Sequence, residues 1–480
     1  MRAWREGWAI VGLACVTIGG ASRTDAQARA AHAVPSVSGA PPQYEVGAID
    51  AATRHRSAAT GATFTPSAAD TNTTSYEVGG VRVIQRRVTA NDVVAANLYL
   101  LGGSRQVSAA TAGIEPFLLE SSERGTTRYP KATLRAKMAR LGSGIVVEPA
   151  EDWTMVGLRA TTEGFDSTWT ILADRIMAPT LDPAEVELVR GQYLSAVRQR
   201  RDSPDALLEY LADSVAFAGH PYGLAPTGTE QSIARLTIPQ LRAYQREQMV
   251  TSRMLLVVVG NVDRPRIERL VQLTLAKLPR GTYRWTPPPP LPEHQGAVFT
   301  VERPLPTNYI LGYYNGPPAS SPDYQALRIT TAALGGRLFA EIRSRRNLTY
   351  AVNAPFVERA IAAGGLYVTT VSPDTTLALM QREVERLKTE TVDPDGLEQL
   401  VAQFITEYFL NNETNSDQAT FLARAQLYRG DYRAADSFVD ELRRVTPQDI
   451  QRVARRYMKN VSFVYVGDPT KVDVARASSF

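Results

Sequence analysis

The sequence has one cysteine, Cys15, and four histidines, His32, His55, His220 and His294, in 480 residues. Cys15 falls in a segment laid out as a secretory signal. Arg2 and Arg5 precede an apolar run from Trp8 to Ile18, and Ala26-Gln27-Ala28 supplies the small-x-small pattern for cleavage. Residues 1–28 are therefore expected to be a signal peptide, and the mature chain is expected to hold no thiol. That excludes disulfides, a cysteine nucleophile and a cysteine-ligated metal. Export to a periplasm is the expectation. Secretion or lipid attachment at Cys15 is the lesser alternative, because Gly12-Leu13-Ala14 is an imperfect context and apolar residues continue past the cysteine. The run at Trp8–Ile18 is short for a hydrocarbon layer of about 30 Å. No later stretch holds eighteen uninterrupted apolar residues, so no spanning helix is expected.

Histidine is as scarce as cysteine, and its placement excludes more. A mononuclear hydrolytic zinc site takes three protein ligands from histidine and carboxylate, and a catalytic triad needs a histidine beside its nucleophile. Of the four histidines, only His220 sits where folded structure is expected, and His220-Pro221-Tyr222-Gly223 reads as a helix-to-loop junction, a structural role. Gly102-Gly103, Gly260 and Gly335-Gly336 lack the flanking pattern of a phosphate cradle. The formal charge is +4, from 53 Lys and Arg against 49 Asp and Glu, with both signs interspersed. That gives no basic stripe for nucleic acid.

What is present divides the chain. Residues 29–75 are rich in Ala, Ser, Thr, Pro and Gly and read as a flexible leader. Residues 76–284 alternate strand and helix patterns. Strands are expected at Val81–Ile84, Val93–Leu100, Gly144–Val147, Thr154–Ala160 and Met254–Gly260. Helices are expected after Ser108, at Lys131–Leu141, Phe165–Met177, Pro183–Arg198, Ala206–Ala218, from Thr237, and over Arg264–Lys277. Pro287 to Pro290 and Pro292 cannot sit inside either regular element, so residues 285–296 are the expected linker. Residues 297–480 repeat the outline. The closing strands Val257-Val258-Val259-Gly260 and Val464-Tyr465-Val466-Gly467 match, which implies an internal duplication. The expected class is α+β: two homologous domains, each a mostly antiparallel sheet packed against helices.

Gly103-Ser104-Arg105, the run Thr111 to Glu120, and Gly125-Thr126 resemble the start of the pitrilysin, insulysin and mitochondrial-processing-peptidase family. Asp202-Ser203-Pro204, His220-Pro221-Tyr222-Gly223, Gly228-Thr229 and the stretch from Gly335 to Tyr350 extend the resemblance along residues 76–468. Catalytic members of the family carry H-x-x-E-H on a helix, two histidines on one face binding zinc and a glutamate activating its water. Here Pro116, Leu119 and Glu120 stand at those three positions. The third ligand of the family is a glutamate on a later helix, in the region of Leu188 to Arg201, and that stretch has no Asp or Glu. No metal is therefore expected in this chain.

The second half keeps what the first has lost. Leu338 to Arg345 has helical character, Asn347 suits a left-handed cap, and Thr349 to Val352 resumes as strand, so Arg343 is expected near a helix end and Tyr350 on the following strand. The resemblance assigns an arginine and a tyrosine with this spacing to contacting the substrate peptide and steadying its polarised carbonyl. From the residues alone, a local salt bridge for Arg343 and simple packing for Tyr350 are the favoured roles. Arg345 and Arg346 read as solvated or capping residues.

Some bacterial members of the family are heterodimers, one subunit with the zinc and the other with the arginine–tyrosine pair, each subunit half a clamshell. The resemblance thus implies a catalytically incomplete subunit that binds peptide and completes the active site of a zinc-bearing homologue. The alternatives are a structural scaffold for a protease and a free-standing peptide-binding module. An independent enzyme would have to draw on Glu115, Glu120, Glu123 and His220.

Overall fold

The computed structural model describes residues 72–480 apart from His294. The expected signal segment, the expected leader as far as residue 71, and His32, His55 and His294 lie outside the described residues. Folded structure starts with β1 (Thr73–Val78), three residues ahead of the expected Tyr76, because Gly79 and Gly80 take positive φ and turn the chain straight into β2 (Val81–Arg87). After β3 (Val93–Leu101) come α1 (Ile114–Ser121), α2 (Lys131–Leu141), β4 (Gly144–Pro149) and β5 (Trp153–Thr161). Next are α3 (Phe165–Met177), α4 (Pro183–Asp202), α5 (Pro204–Ala216), α6 (Glu230–Arg235) and α7 (Ile238–Gln248), and β6 (Met254–Gly260) and α8 (Arg264–Leu273) close the domain. Local chemistry sets these boundaries. The side chains of Asp182, Ser203, Thr237 and Asp263 each accept a backbone N–H at a helix start, with proline in the first turn after each.

The second domain runs β7 (Ala297–Glu302), β8 (Asn308–Pro318), α9 (Asp323–Leu338), a π-helical turn (Phe339–Ser344), β9 (Val352–Asn353), β10 (Phe356–Val357) and β11 (Ile361–Thr370). It continues through α10 (Pro373–Thr389), α11 (Pro394–Leu410), α12 (Asn415–Arg429), α13 (Phe438–Arg443), α14 (Pro447–Tyr457), β12 (Ser462–Gly467) and α15 (Val474–Ala477). The two sheets have the same plan. The first is ordered β1-β2-β6-β3-β5-β4 and the second β7-β12-β8-β11-β10, with β9 also on β11. In each, the closing strand lies between two earlier strands, parallel to the first of them and antiparallel to the second, β6 between β2 and β3, β12 between β7 and β8. Each domain is thus a mixed, mostly antiparallel sheet with helices against it.

Each sheet is covered on both faces, and one cover comes from the other domain. In β6, Met254, Leu256 and Val258 point into the core of their own domain, while Leu255, Val257 and Val259 meet Ala419, Leu422, Ala423 and Leu427 of α12. In return, α5 packs on β8 and β12. This explains why Met254–Gly260 reads as an unbroken apolar run rather than an alternating one: both faces are dry. Polar bonds pin the exchange. Asn97 Nδ2 donates to Ser416 O at 3.2 Å, Asn415 Nδ2 to Val93 O at 2.6 Å, and Tyr367 OH to Asp205 Oδ1 at 2.8 Å.

The proline-rich passage has no regular structure and is held to both domains. Trp285 Nε1 donates to Leu427 O at 3.0 Å, Arg105 Nη2 to Thr286 O at 2.9 Å, and Asn315 Nδ2 to Pro292 O at 2.9 Å. Among the described residues, no helix is long and apolar enough to cross a membrane.

Candidate functional site

The helix that resembles a zinc helix is α1, and its frame is built by two glycines. Gly113 caps it at φ 84°, and a Cβ there would meet Thr227 O at 2.7 Å; Gly228, at φ 78°, would put a Cβ 2.5 Å from Ala112 O. The two turns lie in contact through bare backbone, which explains glycine at both landmarks. Pro116 falls in the first turn, where its missing N–H costs no helical bond.

The three positions that would hold and use zinc are filled otherwise. Pro116 is buried and Leu119 is 2% exposed in the hydrophobic core. Glu120 is partly exposed; burial pushes its carboxyl above the ordinary value, against Arg175 and Arg124 and with Glu123. From α4, Tyr193 sets its ring 5.8 Å from that of Phe117, and burial pushes its phenol up. Glu115 is a core ion pair with Arg253 at 2.9 Å and accepts from Tyr244 OH at 3.0 Å. Among the described residues, no three His, Cys, Asp or Glu side chains are grouped to hold a metal. Zinc does not fit: proline and leucine offer no electron pair, and the stretch 188–201 adds no carboxylate.

Beside α1 lies β4, the outer strand of its sheet, which among the described residues pairs with β5 alone. Its free edge presents backbone N–H and C=O groups of the kind an extended peptide can pair with.

In the second domain the π-helical turn carries Arg343. Its guanidinium carbon lies 4.9 Å from the Phe339 ring centroid and 4.9 Å from that of Tyr350, so the cation is held between two aromatic faces. Tyr350 is 71% exposed. Among the described residues, no carboxylate lies within salt-bridge distance of Arg343. The local salt bridge and the simple packing favoured from the residues alone are therefore not what the chain forms. Asn347 takes φ 51°, the left-handed position its type suits.

Two details differ from expectation. The helix end is π-helical, with Arg345 N–H bonded to Ala340 O at 3.0 Å, which brings residues 339 and 343 onto one side. Tyr350 lies in a bend before β9 rather than on a strand. The Thr349 hydroxyl bonds the backbone of Ala351 and Thr369, and Thr370 Oγ1 donates to Leu348 O at 2.9 Å; these side-chain bonds take the place of a ladder.

His220 is structural. Its Nδ1 accepts from Tyr222 N–H at 3.1 Å and its Nε2 bonds Pro289 O at 2.9 Å, which makes the ring neutral with the proton on Nε2. Burial is the chief cause lowering its pKa. It belongs to a polar junction between the domains that sequence reasoning did not anticipate. Arg359 Nη2 donates to Glu151 Oε1 and to Asp213 Oδ2, both at 2.8 Å, under the rings of Phe217 and Tyr222. Burial would lower the Arg359 pKa, but Asp213 and Glu151 outweigh it and raise it. Asp152 accepts from Arg105 at 2.9 Å, Tyr222 OH at 2.9 Å and Tyr428 OH at 3.1 Å. Residues 146 and 208 positions apart carry no local signal of such contacts. Phe339, four positions before Arg343, is the one missed partner that spacing alone could have named.

Residues 82–230 match the model of the insulinase family of M16 peptidases, and residues 235–404 match that of the peptidase M16 inactive domain. The chain is 24% identical over 394 residues to an uncharacterized zinc protease of Mycobacterium leprae, covering 79% of this chain and 88% of that one. It is 22% identical over 407 residues to the mitochondrial-processing peptidase subunit beta of Blastocladiella emersonii, covering 81% and 87%. It is 22% identical over 405 residues to the cytochrome b-c1 complex subunit 1 of Caenorhabditis elegans, covering 79% and 83%. Among solved structures, a peptidase M16 inactive domain from Pseudomonas fluorescens superposes with TM-score 0.76 at 19% identity, covering 83% of this chain and 98% of that one. A protease from Helicobacter pylori does so with TM-score 0.76 at 18% identity, covering 82% and 99%.

Proposed function

Because the chain belongs to the M16 peptidase family yet lacks the donors for zinc hydrolysis, we propose that it is the catalytically incomplete subunit of a heterodimeric zinc peptidase. It binds the substrate peptide and completes the active site of a zinc-bearing homologue with Arg343 and Tyr350. The observation that carries this reading is the state of that pair: a guanidinium held between Phe339 and Tyr350 with no counter-ion among the described residues, and a phenol open to solvent. Stacking occupies the faces of the guanidinium and leaves its in-plane N–H donors free for an acceptor such as a polarised carbonyl. The zinc belongs to the partner in this reading, and no step of metal chemistry falls to this chain. Two further features support it. The free edge of β4 beside α1 suits an extended peptide, and two of the relatives are named as subunits of larger assemblies. In this reading the pairing takes place outside the cytoplasm, which the signal-like layout of Arg2, Arg5 and the apolar run at Trp8–Ile18 supports.

The test is to purify the chain alone and with an M16 homologue that carries an intact H-x-x-E-H motif, and to follow cleavage of a quenched fluorescent peptide. Cleavage by the pair but by neither chain alone is expected. Full cleavage by this chain alone, or no gain over the partner alone, would refute the reading.

A further inference from the structure

The end of α9, the π-helical turn with the two residues after it, and the facing α10 carry six arginines, Arg337, Arg343, Arg345, Arg346, Arg382 and Arg386, and one lysine, Lys388, which pairs with Glu385 at 2.7 Å. Three carboxylates take these arginines. Glu341, 7% exposed, takes Arg345 at 2.8 Å, Arg346 at 2.6 Å and also Arg382. Arg386 is shared by Glu383 at 3.1 Å and Glu390 at 3.0 Å. Arg337, like Arg343, has no carboxylate partner among the described residues, and its Nη1 is buried without a hydrogen-bond acceptor. Burial and the neighbouring Arg386 both pull the Arg337 pKa down. Seven cations against five carboxylates, Glu341, Asp374, Glu383, Glu385 and Glu390, leave two positive charges in excess, on a chain whose whole formal charge is +4.

A helix stabilised by its own ion pairs needs one cation for each anion, and i,i+4 pairs alternate sign. Three arginines on the single carboxylate of Glu341 are more than its neutralisation requires. Arg345 and Arg382 are 70% and 51% exposed, so their remaining donors face solvent. Guanidinium groups match carboxylates with two parallel N–H bonds, which a lysine cannot do. The surface adjoins the proposed substrate pair through Arg346, which lies three residues after Arg343 and pairs with Glu341 at 2.6 Å.

We propose that this surface binds an acidic segment of the peptide substrate. Aspartate or glutamate side chains flanking the bond to be cut pair with Arg345, Arg346 and Arg382, while the backbone nearer that bond lies at Arg343 and Tyr350. An extended peptide advances about 3.3 Å per residue, so carboxylates on alternate residues are about 7 Å apart, close to the separation of side chains on successive helical turns. The preference for acidic peptides rests on the reading of the chain as a peptide-binding subunit and adds its substrate class.

The experiment uses the whole mature chain in complex with its zinc-bearing homologue, the partner's glutamate inactivated. Binding of two labelled peptides is measured by fluorescence anisotropy; they differ only in Glu against Gln at the positions flanking the cleavage site. The Glu peptide is expected to bind about tenfold more tightly, and the advantage to shrink at high salt. The double variant Arg345→Gln/Arg382→Gln is expected to collapse the difference between the peptides. Glu390→Gln, which removes a carboxylate, is expected to widen it about twofold; misfolding cannot produce that gain. Equal affinity for the two peptides would overturn the acidic preference and leave peptide binding standing. Failure of the complex to bind either peptide would overturn both. Retention on phosphatidylglycerol vesicles, lost in the same double variant and without any preference for the Glu peptide, would assign the surface to a membrane and overturn the proposal.

Discussion

Arg343 and Tyr350 lie face to face, the guanidinium carbon 4.9 Å from the ring centroid, across a turn closed by the left-handed Asn347. An exposed contact of this kind contributes about 0.5–1 kcal/mol, too little to be the reason for a fold. What it does is restrict where a long, flexible side chain can point. Phe339 restricts it from the other side, so the donors are oriented before an acceptor arrives.

If that orientation serves catalysis in trans, Arg343→Ala lowers peptide cleavage by the assembled pair about a hundredfold, and Tyr350→Phe about tenfold, with assembly retained. Cleavage rates with co-elution on a sizing column check both halves of the statement. Activity within twofold of wild type in both variants would favour the scaffold reading instead.

Putting the motif back does not restore zinc. The triple variant Pro116→His/Leu119→Glu/Glu120→His still lacks a third ligand between residues 188 and 201. It also places a carboxylate where Leu119 is 2% exposed, at a cost of about 3 kcal/mol or more. Metal analysis of the purified variant is expected to show no stoichiometric zinc, and its melting temperature to fall. One tightly held zinc per chain would contradict this account.

The exchanged helices make the two domains unfold together. Leu422, fully buried against the first sheet from the second domain, should cost about 2–5 kcal/mol when truncated to alanine. Its loss should also speed amide exchange in β3 and β6, which belong to the other domain. A fragment ending in the proline-rich passage would expose Tyr99, Leu101, Leu255, Val257 and Val259 and is expected to associate rather than remain monomeric. Two separated urea transitions in the intact chain would show that the domains are independent.

Acid should weaken the second domain through Glu358. It accepts from Arg328 at 2.5 Å and Arg424 at 2.7 Å. Burial alone would raise its pKa, but the two arginines outweigh it and hold it at about 2, below the ordinary 4.5. A depressed carboxylate contributes stability above pH 4.5 that is lost as pH falls from there toward 2, on the order of 3 kcal/mol in all. Urea midpoints measured from pH 5 to pH 3 should therefore drop, and drop less steeply in Glu358→Gln. Parallel slopes for the two proteins would remove Glu358 from the explanation.

Much of the architecture was legible locally. Lys131–Leu141, Phe165–Met177 and Met254–Gly260 have the bounds their periodicity implies, because prolines, caps and glycines mark helix ends within a few residues. The duplication was legible from the matching closing strands, and the two sheets share one strand order. The stretch before Tyr350 was less legible. Thr349 reads as a strand former, but its hydroxyl bonds nearby backbone and holds a bend. The junction of Glu151, Asp213 and Arg359 was not legible at all, since each residue taken singly is an ordinary charged side chain.

By itself the amino-acid sequence determined which chemistry this chain cannot perform. Ligation depends on side-chain identity, and no folding turns Pro116 or Leu119 into an electron-pair donor. It also determined the α+β class, because periods of two and near four residues decide which faces seek burial. Only the tertiary structure decided that each sheet takes a covering helix from the other domain, that Arg359 draws two distant carboxylates into one buried junction, and that Arg343 stands between two rings without a counter-ion among the described residues. Those are contacts between residues far apart in the chain, and their energies depend on geometry and burial that no local pattern records.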